Sequence, residues 1–224
     1  MSSKDFNDFL SGKNSRFAKS LFISLLVSFA TFFVLYILRL RYIDSFTQKY
    51  GFYLFFSILS YSIILSSLNL IRPYKDFPCM GGMMVGMTIG MISGFLPGFF
   101  IGATNGMFYG SVSGMLIGIV FGVWAGKCCG IMGIMEGIMA GFMGGLMGAM
   151  TAIMMFNDHL KASGVIVFLV SSVILCGLNF MIFKETKGID RKYGDNLMNI
   201  VLSFILTLLT IIFSVYGPRS SLLQ

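Results

Sequence analysis

From Gly82 to Gly130 a glycine stands at every fourth position without a miss, thirteen of them in succession. No other feature of the chain restricts its fold as sharply. In water each interior glycine costs a helix up to ~1 kcal/mol relative to alanine, so a soluble domain could scarcely carry this run as helix. In a bilayer the backbone finds no water to bond, and helix is the one open form. Glycine then supplies close approach of two backbones.

Composition agrees with a bilayer: 56% of the residues are hydrophobic and 11% charged, against about 25% charged in ordinary soluble domains. A span needs roughly 20 apolar residues, so a chain of this length holds about six to eight helices. As one helix the glycine run would extend ~73 Å at 1.5 Å per residue, across a hydrocarbon core of only ~30 Å. It must fold back on itself. Ala103-Thr104-Asn105-Gly106 and Gly126-Lys127-Cys128-Cys129-Gly130 are its polar, turn-like points,.

These turns predict a third span at 79–102, a fourth at 107–126 and a fifth at 131–156. The helix-packing set is then Gly86, Gly90 and Gly94 on the third, Gly110, Gly114, Gly118 and Gly122 on the fourth, and Gly137, Gly141 and Gly145 on the fifth. Four residues advance 400° around a helix, so the stripe drifts by roughly 40° per step. The fourth span therefore offers glycine on more than one side and is expected to be the central helix.

Around this group the chain divides into a polar arm at 1–19, two spans at 21–38 and 51–71 within residues 20–78, the Gly/Met-rich core at 79–156, and two more spans at 164–183 and 197–216 within residues 157–224. The last two are separated by a basic loop at 184–196. The serines at 57, 60, 62, 66 and 67 of the second span can bond neighbouring carbonyls,. Pro73 and Pro78, with Arg72, Lys75 and Asp76, end that span,. The fold class expected is an all-α polytopic transmembrane bundle of about seven spans, with the Gly-every-fourth helices as its centre.

The net charge of +7 does not point to nucleic acid, because Lys and Arg lie in the gaps between apolar runs. There they read as topology. With a cytoplasmic N-terminus, eleven basic residues fall on the inner side and five on the outer. The expectation is a multi-pass protein of a cell (inner) membrane. Its first segment resembles a signal peptide but has no small-residue cleavage site, so it reads as an uncleaved span. Four cysteines in so long a chain do not make a disulfide framework,.

The run from Met80 to Met91, followed by that from Met135 to Met150, resembles stretches of uncharacterised bacterial membrane proteins rich in glycine and methionine. The resemblance covers residues 79–156 and implies a membrane location without an activity. The vicinal Cys128-Cys129 pair is also similar in kind to that of mercuric-ion membrane transporters.

On the fifth span Met132, Met135, Met139, Met143, Met147, Met150 and Met154 share one face with Glu136, and the glycines take the other,. Met80, Met83, Met84, Met87 and Met91 make a shorter stripe on the third. Thioether and thiolate suit Cu(I) and similar soft metals. The candidate metal set is thus Cys79, Met80, Met83, Met87, Cys128, Cys129, Met132, Met135, Glu136 and Met139, with Cu(I) or another soft ion as cofactor or cargo. The bland reading is that methionine fills irregular gaps left by glycine.

Glu136 is the one acidic residue well inside an expected span, either a functional group or a protonated or Lys127-paired group near the headgroups. Asn105 reads as a turn residue, Cys176 as buried packing, and Pro97 as a kink that frees the Ser93 carbonyl. No phosphate loop or hydrolase motif is present, so the chain does not read as an enzyme,. Three functions remain: soft-metal binding or transport, a structural or assembly protein whose glycine faces drive helix packing or oligomerisation, and a proton-linked transporter using Glu136. The last is disfavoured by the few polar groups seen along the spans. The partners expected are the lipid bilayer and, under the second reading, further copies of the chain.

Overall fold

A computed structural model describes residues 14–38, 46–71, 79–127, 130–185 and 196–216. Among them the chain is all-helical: α1 (Asn14–Leu38), α2 (Phe46–Ile71), α3 (Cys79–Asn105), α4 (Met107–Gly126), α5 (Gly130–Met154), α6 (Leu160–Glu185) and α7 (Asn196–Tyr216). Five carry stretches long and apolar enough to cross a membrane, in α2 to α6. The apolar stretches described in α1 and α7, Ser20–Val34 and Met198–Phe213, are shorter. The protein is a helical membrane bundle of about seven spans.

Helices α3, α4 and α5 form a trio in which each packs on the other two. The glycine stripes meet in five layers: Gly86 with Gly126 and Gly133, Gly90 with Gly122 and Gly137, Gly94 with Gly118 and Gly141, Gly98 with Gly114 and Gly145, and Gly102 with Gly110 and Ala149. In lipid there is no hydrophobic drive between helices, so association rests on van der Waals packing of approaching backbones. The atoms nearest the point where a Cβ would stand on each glycine are repeatedly carbonyl oxygens of a neighbouring helix. Cα–H···O contacts are favoured at such closeness.

This geometry explains why the four-residue count runs unbroken through the first turn. Gly106 is the single residue between α3 and α4, so positions equally far before and after it lie at one depth. Gly102 and Gly110, or Gly98 and Gly114, can meet only if the stripe is symmetric about Gly106. The chain reverses there without losing backbone bonds: the Gly106 N–H donates to the Gly102 carbonyl at 3.0 Å, and the Gly110 N–H donates to the Gly106 carbonyl at 3.1 Å. Gly106 holds φ 99° and ψ 172°, a region that costs other residues of order 1–3 kcal/mol.

The second turn works differently. Gly130 continues the count but opens α5 at φ 69°, with open space where a Cβ would point. It belongs to the turn, and the packing stripe restarts at Gly133. A second stripe on α5, Gly144 and Gly148, lies against the backbone of α3 at Met91 and Phe95.

The central helix is α3 rather than α4. Its glycine side faces the trio. The opposite side, with Val85, Ile89, Leu96, Phe99 and Phe100, joins a buried cluster with Ile64 and Leu65 of α2, Leu175 and Ile182 of α6 and Leu206 of α7. Phe100 stacks on Phe56 of α2 with ring centroids 6.4 Å apart. Helix α4 has glycine on more than one side, as its drift requires, but Val112, Leu116 and Val120 remain exposed along it. It packs on α3 and α5, while α2, α6 and α7 reach the trio through α3. Helix α3 also runs on through Pro97; the Ser93 hydroxyl donates to the Ile89 carbonyl one turn before.

Candidate functional site

Two regions carry side chains with chemistry, and they lie on different sides of α3. The first is the methionine face of the trio. With Gly137, Gly141, Gly144, Gly145 and Gly148 turned inward on α5, the methionines three and four residues apart must turn outward. From Met132 to Met154 they are 45 to 71% exposed. On α3, Met80, Met84, Met87 and Met91 are likewise outward, and Met83 is half-buried. Glu136 is half-buried on the outward face between Met132, Met135 and Met139, and Lys127 is exposed at the end of α4. The stripe therefore does not line an interior path, and it does not fill gaps between glycines.

Cys79 opens α3, but its side chain, like Cys128 and Cys129 altogether, lies outside the described residues. Among the described residues no three His, Cys, Asp or Glu side chains are grouped closely enough to hold a metal ion. Cys176, expected to be buried, is exposed on α6, because α6 is the least enclosed of the five long spans. His159 is exposed in the turn that follows α5.

The second region is a polar seam between α1, α2 and α7. Ser20, Ser24, Ser28 and Thr31 recur at helical spacing on α1, and Asn199, Ser203, Thr207 and Thr210 recur on α7; all are buried. Phe22, Leu26 and Phe33 of α1 and Val201, Phe204 and Ile205 of α7 are exposed. Both helices are thus polar inward and apolar outward, the reverse of a soluble helix and the arrangement lipid requires when polar groups must find partners inside protein.

Within the seam the Ser203 hydroxyl is the hub. It receives the Ser24 hydroxyl at 3.3 Å, lies 2.6 Å from the Ser28 hydroxyl and donates to the Ser24 carbonyl at 3.2 Å. One turn away Ser20 accepts the Asn199 amide at 2.8 Å and the Asn69 amide of α2 at 3.3 Å. Asn179 of α6 donates to Ser67 of α2 at 3.3 Å. Asn105, expected in a turn, is instead the last residue of α3, buried, and its amide donates to the Phe213 carbonyl of α7.

The expectation that few polar groups line the spans is therefore corrected for α1, α2 and α7. The signal for this seam is the same four-residue spacing that marks the glycine run, carried here by the hydroxyls of Ser20, Ser24 and Ser28. The seam is neutral; its serines and asparagines are hydrogen-bonded across helices and its threonines donate to carbonyls of their own helix, which fits helix association better than ion passage. Comparison with protein-family models, with curated proteins and with solved structures finds no match.

Proposed function

We propose that this chain is a non-enzymatic structural or assembly protein of a membrane, built around a rigid glycine-packed trio. The supporting observation is the five-layered meeting of glycines from α3, α4 and α5. A lumen needs side chains or space at the bundle axis, and here backbone meets backbone. The glycine faces are occupied within the chain, so any contact with further copies would use other surfaces. Eleven basic residues on one side against five on the other favour a cytoplasmic N-terminus in a cell (inner) membrane.

A second reading, soft-metal binding, is favoured by one observation: Met132, Met135 and Glu136 stand close together in the first turns of α5, directly after Cys128 and Cys129. One experiment separates the two. The full chain in sealed vesicles, offered Cu(I) or Ag(I), should take up no more metal than protein-free vesicles and should purify without stoichiometric metal. Metal retained by the native chain and lost from a Cys128→Ser, Cys129→Ser variant would replace the structural reading with the second.

A further inference from the structure

We propose that the outward methionine face of α3 and α5 is a sulfoxidation site at which lipid hydroperoxides are reduced to alcohols inside the bilayer. Among the described residues thirteen methionines are exposed, and every one of these lies on α3, α4, α5 or the turn that follows α5. The exposed large apolar residues described on α1, α2, α6 and α7 are Phe, Leu, Ile and Val. The same chain thus meets the same surroundings with no exposed methionine described elsewhere, so apolarity does not account for methionine here. Gap filling does not account for it either, because these side chains point away from the packed glycines.

What methionine has and leucine lacks is a nucleophilic thioether. Its sulfur lone pair attacks the terminal oxygen of the hydroperoxide and the O–O bond breaks. The sulfur becomes a sulfoxide, and the hydroxyl proton passes to the departing alkoxide, which leaves as the alcohol. One thioether is oxidised per hydroperoxide reduced, and no further co-reactant enters. From Met132 to Met154 the stripe extends ~33 Å, about the depth of a hydrocarbon core, so sulfur is offered at each level where a peroxidised acyl chain can carry its oxygen. A single metal site would instead gather its donors at one depth. Sulfoxide is polar and disrupts packed methionine interfaces, yet the glycine contacts lie on the opposite side of α5 and are untouched. Sulfoxide reductases reverse the change.

The test uses the full chain with its four cysteine thiols alkylated, so that Cys176 and the others reduce no hydroperoxide, in vesicles containing phospholipid hydroperoxide, with a metal chelator present so that no bound ion contributes. Hydroperoxide lost, alcohol formed and sulfoxide formed should be equal. Peptide mass analysis should find Met135, Met139, Met143 and Met147 oxidised several-fold faster than the half-buried Met83, Met115 and Met181. Replacing those four outward residues by leucine, a volume-conserving change, should slow hydroperoxide loss several-fold with Trp124 emission unaltered. Global replacement of methionine by norleucine, which keeps the shape and removes sulfur, should abolish it. Equal oxidation of outward and half-buried methionines, or undiminished hydroperoxide loss in the norleucine protein, would overturn the proposal.

Discussion

Replacing Gly141 by alanine should destabilise the trio by about 3 kcal/mol, at the upper end of overpacking costs, while Gly177→Ala should leave stability unchanged. A methyl at Gly141 would overlap the backbone of Gly118 and Ile119, and one at Gly145 would overlap Gly114 and Met115. Backbone cannot rotate aside as a side chain can, so the helices must separate. Separation forfeits contacts along neighbouring layers too, because the same close approaches recur layer after layer along α4 and α5. At Gly177 nothing lies within 4 Å of an added Cβ. Gly164 falls between, since its nearest neighbours are Phe99, Phe100 and Phe52 ring atoms at 3.5 to 3.8 Å. The protein's single tryptophan, Trp124, sits in α4 against Phe121 with ring centroids 6.3 Å apart. Its emission during denaturant titration in bicelles therefore reports the trio directly. Equal midpoints for the Gly141→Ala and Gly177→Ala proteins would disprove the layered packing.

Much of this arrangement was legible because lipid leaves a chain few options. The turn at Gly106 followed from the length of the glycine run against the thickness of a bilayer, and the division of α5 into glycine and methionine faces followed from helical periodicity. The identity of the central helix did not follow. Glycine content alone favoured α4, whereas centrality depends on what occupies the other face: Ile89, Leu96 and Phe99 on α3, but the exposed Leu116 and Val120 on α4. That comparison needs the positions of α2, α6 and α7, which no local pattern supplies. The same holds for Gly130, where count and conformation part company. The methionine stripe was visible as a stripe, but whether it faced inward or outward depended on whether α3 and α5 met through sulfur or through glycine. The seam between α1 and α7 joins residues about 175 positions apart, and a serine every fourth residue declares a polar face without naming its partner.

Ser203→Leu should unfasten α1 from α7 and leave the trio folded. The substitution forces a branched side chain into a fully buried position and removes the hydroxyl that Ser24 and Ser28 share. Overpacking costs about 1–3 kcal/mol, and each interhelical hydrogen bond lost in a membrane adds ~0.6 and at most ~1.7 kcal/mol. The neighbouring Phe204→Leu, on the exposed side of α7, should be nearly silent. A Ser28→Ala, Ser203→Ala double-mutant cycle should return a coupling near that single-bond value, ~0.6 kcal/mol. The more telling result is the separation of two transitions. Helices α4 and α5 pack on α3 and on each other, and α1 packs on α2 and α7, so loosening the seam removes no glycine contact. Cysteine labelling at Ser24→Cys should become rapid in the Ser203→Leu background at denaturant levels where Trp124 emission is still native. If the two signals move together, α3 transmits disorder from the flanking helices into the trio, and the glycine layers are not the independent unit their geometry implies. If they move apart, the polar seam sets how the flanking helices are held, and the glycine layers set the stability of the trio.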